Sequence, residues 1–169
     1  QAKLGLKEIG ALDIRDQCSG FLYALSVADQ YIRTGTYKKI LLVAAELQSA
    51  NLDFSDEGRD MSVLFGDGGA AMILEANDSG DGRGVLGCYL FSDGRFASEL
   101  WMDKPSSRDN PTFQVEFFQQ GKFYPRMNGR TVFKNACEKM PQAVLYGLQQ
   151  LGLSISNIDY LIPHQANDR

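Results

Sequence analysis

The stretch Asp13-Ile14-Arg15-Asp16-Gln17-Cys18-Ser19-Gly20-Phe21 takes the chain from a short apolar segment, residues 11–14, into a helical pattern that runs to about residue 33. We predict a strand over 11–14 and place Cys18 on the first turn of the helix. Unpaired backbone N–H groups and the positive end of the helix dipole lie at that turn, so the position favours the nucleophilic thiolate. A buried cysteine that only fills space is the alternative interpretation.

Composition restricts the class of protein. The chain has 169 residues, of which 44% are hydrophobic and 22% charged, as is typical of a globular domain. A net charge of −4 argues against a general nucleic-acid binder. Three cysteines, with a single histidine and no Cys-x-x-Cys pair, predict neither a disulfide framework nor a zinc site.

No apolar run is long enough to span a bilayer, and no signal peptide pattern is present, so we expect a cytoplasmic protein. The chain begins without methionine, inside the pattern of a helix end over residues 2–9, and stops where a new helical pattern begins after His164. These ends suggest a fragment.

Alternating strand and helix patterns follow in the first part of the chain. The cysteine helix is apolar nearly all round, which predicts a buried central helix. The apolar run 40–45 predicts a strand covered on both faces, completing a βαβ unit. Residues 46–60 read as a surface loop or short helix, and runs 63–65 and 70–74 read as paired strands around Gly66-Asp67-Gly68-Gly69. Because a strand follows these glycines, they are a poor dinucleotide-binding motif.

The polar stretch 77–84 is the best domain boundary, a flexible linker between residues 1–76 and 85–169. A strand over 85–92 is followed by a long connection, 93–126, rich in aromatic residues. Loops of this length are usually functional or disordered. So much aromatic surface predicts that the connection packs, as a lid, a pocket wall or an interface; local core beneath a loop is equally acceptable.

A helix pattern opens at Asn128-Gly129-Arg130, with Pro141 expected to kink it or start a second segment, and Gly152 stops it. The apolar run 158–162 predicts a buried strand that ends just before His164, the only histidine. Ligands bind at the carboxyl ends of strands in open α/β sheets. A thiol and an imidazole brought together there would suit covalent acyl chemistry.

Four motifs in this order resemble the 3-oxoacyl-[acyl-carrier-protein] synthase III family. They are residues 13–25 with Cys18-Ser19-Gly20-Phe21, Phe65-Gly66-Asp67-Gly68, the run from Met127 to Lys134, and Ile162-Pro163-His164-Gln165-Ala166-Asn167. The resemblance implies a thiolase-like α/β fold of five αβαβα layers in two similar halves. Residues 1–76 would then be the later part of the first half, with the nucleophile helix, and residues 85–169 the earlier part of the second.

The resemblance also implies an acyltransferase that takes an acyl group from acyl-CoA onto Cys18. A decarboxylating Claisen condensation with malonyl-acyl-carrier protein would follow, with His164 as a hydrogen-bond donor to the enolate. Arg59 corresponds to an arginine near the CoA nucleotide, Gly129 and Phe133 to positions along the pantetheine channel, and Arg169 to a residue that docks the carrier protein. A solvated surface charge is the alternative for Arg59 and Arg169.

The same resemblance implies fatty acid biosynthesis, a homodimer, and no cofactor or metal beyond the two thioester substrates. The chain departs from the family in lacking its later asparagine and its N-terminal region, and its connection 110–126 is longer, which could reshape the acyl pocket or its cover. A related condensing enzyme or acyltransferase of a polyketide or alkene pathway is the first alternative. A non-catalytic fragment or binding module is the second.

Overall fold

The computed structural model describes residues 1–166, and a helix beside a strand pair organises the first half of the chain. Helix α1 spans Gly20–Arg33 and strand β1 spans Lys39–Glu46, close to the predicted bounds. The two are joined through Gly35, whose φ of 73° is costly for residues with a side chain. Alternate residues of β1 are shielded on the α1 side, with Leu42 only 5% exposed.

Strand β2 (Gly68–Glu75) pairs antiparallel with β1 over its whole length, from Lys39 opposite Glu75 to Glu46 opposite Gly68. The predicted strand over 63–65 is wrong. Helix α2 (Arg59–Ser62) precedes these residues, and the N–H groups of Leu64 and Phe65 both bond to the Met61 carbonyl, which continues the helical turn. The helix-or-loop prediction for residues 46–60 is confirmed by α2 and by a 3-10 turn over Ser49–Asn51.

Burial of β1 and α1 is lower than predicted. One face of β1 is open, with Leu41 45% and Val43 60% exposed, so the prediction of a strand covered on both faces is wrong for the described residues. Leu22 of α1 is 52% exposed, so α1 is not enclosed on all sides either. No described residue covers these faces.

Three predicted strands do not form within residues 1–166: those over 11–14, 85–92 and 158–162. Most of the predicted first helix is replaced by a 3-10 turn over Ala2–Leu4. A strand needs a neighbour to accept its backbone hydrogen bonds, and none of these segments has one in the described chain. Residues 85–92 instead lie against the helices: Arg33 donates to the Val85 carbonyl at 2.5 Å, and Tyr89 contacts Tyr146.

The polar stretch 77–84 forms a hydrogen-bonded turn, although we predicted a flexible linker. The Asn77 side-chain amide donates to Asp81 and to the Arg83 carbonyl. Gly80, Gly82 and Gly84 all have positive φ, which explains why glycines recur there. Whether it separates two domains stays a prediction.

The aromatic connection folds back on itself between two short paired strands, β3 (Leu100–Trp101) and β4 (Arg126–Met127). It contains helix α3 (Val115–Gln119). Phe123 stacks between Phe113 and Phe118, with ring centroids 5.7 and 4.1 Å away. The prediction that these aromatic residues pack is confirmed, and they do so largely among themselves.

Helix α4 spans Gly129–Leu151 without interruption, so Pro141 neither ends it nor divides it. Asn128 caps its first turn, and Gly152 ends it with a φ of 67°. The predicted start and stop are both confirmed.

The accessible surface of the molecule is large for its mass. It measures 13,664 Å², whereas a folded monomer of 18.7 kDa would expose about 8,300 Å². Five apolar residues are buried within the described part: Ala28, Leu42, Leu52, Met61 and Leu148. The helices and strand pairs therefore carry apolar faces that no other described residue covers.

Candidate active site

Cys18 lies in a 3-10 turn, Gln17–Ser19, that leads directly into α1. The Ser19 N–H bonds to the Asp16 carbonyl at 3.1 Å, and the Gly20 N–H bonds to the Gln17 carbonyl. Cys18 is a free, exposed cysteine. The predicted position at the start of the helix is therefore confirmed, and within the described residues the thiol is exposed and only partly desolvated.

The surroundings of Cys18 favour the thiol and not the thiolate. Partial desolvation raises the pKa of the Cys18 thiol above its ordinary value, and the Glu46 carboxylate at the end of β1 raises it further. A hydrogen bond from the Cys18 backbone N–H lowers the pKa but does not outweigh desolvation. The pKa of the thiol is therefore above its ordinary value, and the contribution of the helix terminus by itself stays a prediction.

His164 lies in an exposed, irregular segment, because the strand predicted before it does not form. Tyr160 is 87% and Ile162 88% exposed. No hydrogen bond between Cys18 and the His164 imidazole occurs within the described residues. The structure therefore gives no support to their predicted pairing.

A cleft of about 890 Å³ separates the region of α2 from the start of α4. Gly129 and Phe133, one helical turn apart, both line it, and their assignment to a pantetheine channel stays a prediction. Its other lining residues are Asp60, Val63, Leu64, Met127, Asn128 and Arg130. Apolar walls with one cationic and one anionic side chain suit an elongated ligand that has both apolar and polar parts.

Local interactions fix the α4 side of the cleft. The Asn128 N–H bonds to the Glu99 carbonyl at 2.7 Å, and the Asn128 side chain caps α4 by accepting from the Thr131 N–H. A Cβ on Gly129 would lie 3.6 Å from the Met127 methyl group, an ordinary contact. Gly129 is therefore bordered by open cleft and by Met127.

Arg59 lies beside the cleft and is not among its lining residues. Its guanidinium pairs with Asp56 at 2.6 Å and is 70% exposed, which keeps both a surface role and a ligand role open. Arg169 lies outside the described residues.

Sequence reasoning missed three residues near these positions. Glu46, Met127 and Arg130 were not assigned roles, although Met127 and Arg130 fall inside a motif that carries the resemblance. That motif could have indicated Met127 and Arg130, because it contains the start of α4, which borders the cleft.

Among the described residues, no helix is long and apolar enough to cross a membrane, and no group of three or more His, Cys, Asp or Glu side chains could hold a metal ion.

Comparisons with known proteins agree with the motifs. The sequence model of the family 3-Oxoacyl-[acyl-carrier-protein (ACP)] synthase III matches residues 12–94, which include Cys18 and Arg59. A beta-ketoacyl-[acyl-carrier-protein] synthase III of Sphingopyxis alaskensis is 40% identical over 169 residues, covering all of this chain and 49% of the relative.

The chain belongs to the 3-oxoacyl-[acyl-carrier-protein] synthase III family.

Solved structures of this family show the fold. The synthase III of Pseudomonas aeruginosa PAO1 superposes with a TM-score of 0.82 at 32% identity, covering 98% of this chain and 47% of that structure. The priming β-ketosynthase from the R1128 polyketide biosynthetic pathway superposes with a TM-score of 0.78 at 27% identity, covering 98% of this chain and 47% of that structure. The chain thus has a thiolase-like α/β fold.

The chain spans about half the length of the curated relatives it matches. The described residues form two two-stranded sheets, and the five layers implied by the resemblance are not seen within them.

Proposed function

We propose that the protein is a condensing acyltransferase of fatty acid biosynthesis, which joins an acyl group from acyl-CoA to malonyl-acyl-carrier protein. The observation that carries the proposal is Cys18, an exposed thiol on the turn that opens α1 inside the residues matched by the synthase III family. The cleft lined by Gly129 and Phe133 supports it, because an acyl-pantetheine arm is long and has both apolar and polar parts.

Cys18 acts as the nucleophile. Its thiolate attacks the thioester carbonyl of acyl-CoA, the carbon–sulfur bond to CoA breaks, and the CoA thiol leaves after taking up a proton. The backbone N–H of Cys18 is the donor that would stabilise the tetrahedral oxyanion. A thiolate is a good nucleophile and a good leaving group, so the acyl-enzyme both forms and reacts readily.

The malonyl group then loses carbon dioxide, and the electron pair of the broken carbon–carbon bond stays on the α-carbon, which forms an enolate. That carbon attacks the acyl-enzyme carbonyl, forming the new carbon–carbon bond, and the bond to Cys18 breaks to restore the thiolate. His164, as a neutral imidazole, donates a hydrogen bond to the enolate oxygen. No cofactor or metal takes part in this scheme.

Other residues bind the substrates. Gly129 and Phe133 line the pantetheine channel. Arg59 releases Asp56 and pairs with a CoA phosphate instead. Arg169 attracts an acidic carrier protein. A homodimer and a cytoplasmic location belong to the same proposal, and sedimentation velocity would test the first.

Mass spectrometry tests the acylation step. The purified protein is incubated with acetyl-CoA, digested, and mapped for an acetyl thioester. We expect the label on Cys18 and its loss in Cys18→Ala. Cys137, also free and exposed, is the matched control: Cys137→Ala should keep the label. A folded protein that acquires no label, or acquires it on Cys137, contradicts the proposal and favours a non-catalytic binding module.

A polyketide-priming role is the second candidate, because of the likeness to the R1128 priming ketosynthase at 27% identity. Products formed from malonyl-acyl-carrier protein with acetyl-CoA and with a longer acyl-CoA distinguish the two. Preference for acetyl-CoA favours fatty acid initiation, and preference for the longer primer favours the polyketide or alkene alternatives.

The aromatic connection 110–126 shapes the acyl pocket or its cover in this proposal. Met127, directly after it, lines the cleft, and β4 anchors that end of the connection to β3. Shortening the connection should change the preferred acyl-CoA chain length. An unchanged preference would refute this part.

A further inference from the structure

Gln17 has an unusual backbone conformation. Its φ is +42°, and every other positive φ in residues 1–166 belongs to a glycine. The left-handed region brings Cβ close to the following carbonyl oxygen, so residues other than Gly, Asn and Asp seldom adopt it. Strain of this kind persists only where surrounding structure imposes it, and it concentrates at functional sites.

The Gln17 side chain does not explain the conformation. It is exposed, and the hydrogen bonds of the described chain include none from its amide group. The backbone, in contrast, is held by two hydrogen bonds of the turn. The turn is closed across Gln17 by the bond from the Ser19 N–H to the Asp16 carbonyl, and the Gln17 carbonyl accepts from the Gly20 N–H.

This turn changes the direction of the chain immediately before Cys18. Asp16, with a φ of −147° and a ψ of 35°, is not helical, and α1 begins at Gly20, so the chain enters the helix over three residues. A sharp, strained turn that leads into a helix exposes the residue at its apex. Cys18 is at that apex and is exposed.

We propose that Gln17 is a positioning residue whose left-handed backbone presents the Cys18 thiol to acyl thioesters. This inference rests on the proposed function. It predicts that the backbone preference at position 17, and not the chemistry of the side chain, determines how fast Cys18 reacts.

The test is a series of substitutions at position 17, measured by two reactions of Cys18: labelling by iodoacetamide and acyl transfer from acetyl-CoA. We expect Gln17→Gly and Gln17→Asn to react as fast as the natural protein or faster, Gln17→Ala more slowly, and Gln17→Val at least roughly tenfold more slowly. The pH midpoint of iodoacetamide labelling should stay unchanged across the series, because the groups that set the thiol pKa are retained.

Arg15 provides the matched control. It is exposed, lies two residues earlier and lacks a positive φ, so Arg15→Gly and Arg15→Val should leave both rates unchanged. Circular dichroism checks that each variant is folded; if Gln17→Val is not, Gln17→Ala against Gln17→Gly carries the comparison.

Two results would overturn the inference. One is equal rates throughout the series. The other is an order that follows side-chain polarity, with Asn and Gln fast and Gly slow. If the natural protein accepts iodoacetamide but no acyl-CoA, the proposed function fails, while the order of labelling rates still decides the role of Gln17.

Discussion

Ser49 holds both carboxylate oxygens of Asp67: its backbone N–H lies 2.8 Å from Oδ1 and its hydroxyl oxygen 2.6 Å from Oδ2. This contact ties the 3-10 turn after β1 to Asp67, which lies directly before β2. Asp67 therefore anchors two loops, which is a structural reason for the residue.

Removal of the Ser49 hydroxyl should weaken this anchor in a pH-dependent way. The two bonds from Ser49 lower the pKa of Asp67 from its ordinary value of 3.8. A carboxylate with a lowered pKa stabilises the fold above the unfolded-state pKa, and the contribution is lost as the pH falls through the folded-state pKa. Ser49→Ala should therefore lower the free energy of unfolding at neutral pH, and the deficit should shrink as the pH falls below 3.8.

Thermal unfolding at neutral and acid pH measures this difference. Ser106→Ala is the control, because the Ser106 hydroxyl accepts from the Arg108 backbone N–H and bonds to no carboxylate. Its effect should not depend on pH in this way. An equal loss for Ser49→Ala at both pH values would show that Asp67 ionisation does not contribute.

Glu46→Gln should make Cys18 more reactive at neutral pH. The Glu46 carboxylate disfavours the nearby thiolate and so raises the pKa of Cys18, after the larger effect of desolvation. An amide of the same size removes the charge, and its oxygen can still accept from the Gln48 side chain, as Glu46 does at 2.8 Å. The pH profile of iodoacetamide labelling should shift to lower pH.

Glu75→Gln is the matched control for this substitution. Glu75 lies at the opposite end of the β1–β2 pair and contacts Lys39 at 3.1 Å. Its removal should leave the labelling profile in place. A profile that stays unchanged in Glu46→Gln, or moves to higher pH, would contradict the assigned effect.

Signals that act within a few residues predicted the helices well. Gly152 and Asn128 are local stop and start signals, and α4 begins and ends at them. The helical spacing of apolar residues in α1 likewise predicted that the helix ends at about Arg33. A helix satisfies its hydrogen bonds internally, so its bounds can be predicted from sequence without knowledge of the partners.

Strands are different, because their hydrogen bonds depend on a neighbour far away in sequence. Residues 158–162 have a good strand composition, yet Ile162 is 88% exposed and no described strand pairs with it. His164 was predicted at the carboxyl end of that strand, so its predicted position is not found either. The apolar run 40–45 did become a strand, because β2 is available as its partner.

Within the candidate site, the sequence predicted the backbone positions of residues that lie at the start of a helix. Cys18 lies on the turn that leads into α1 and Gly129 begins α4, as predicted, while their roles in a site stay predictions. The raised pKa of Cys18 was not predictable, because its larger cause, partial desolvation, and its smaller cause, the nearby Glu46 carboxylate, both depend on how distant segments pack around the thiol.

Substitution of Gly129 should separate stability from binding. Its missing Cβ would make only an ordinary 3.6 Å contact with Met127, so Gly129→Ala should fit and raise stability by about 0.4–1 kcal/mol. A bulky residue would extend into the cleft. Gly129→Phe should therefore raise the KM for acyl-CoA severalfold, while iodoacetamide labelling of Cys18 stays unchanged. An unaltered KM would mean that the cleft does not bind the substrate.

Lys104 should contribute more to the aromatic connection than Lys122 does. Both ammonium groups lie over the Phe117 ring, at 4.5 and 5.4 Å from its centroid. Lys104 also pairs with Asp109, and the two side chains are only 17% and 19% exposed. Lys104→Ala would leave the shielded Asp109 carboxylate without its cation, which costs about 1–3 kcal/mol, whereas Lys122→Ala removes a contact worth about 0.5–1 kcal/mol. Denaturant unfolding of the two variants measures the difference. The double substitution Lys104→Ala with Asp109→Ala should recover part of the loss, because it removes the unpaired charge. Equal losses for Lys104→Ala and Lys122→Ala would show that the pair with Asp109 adds nothing to the stability of the connection.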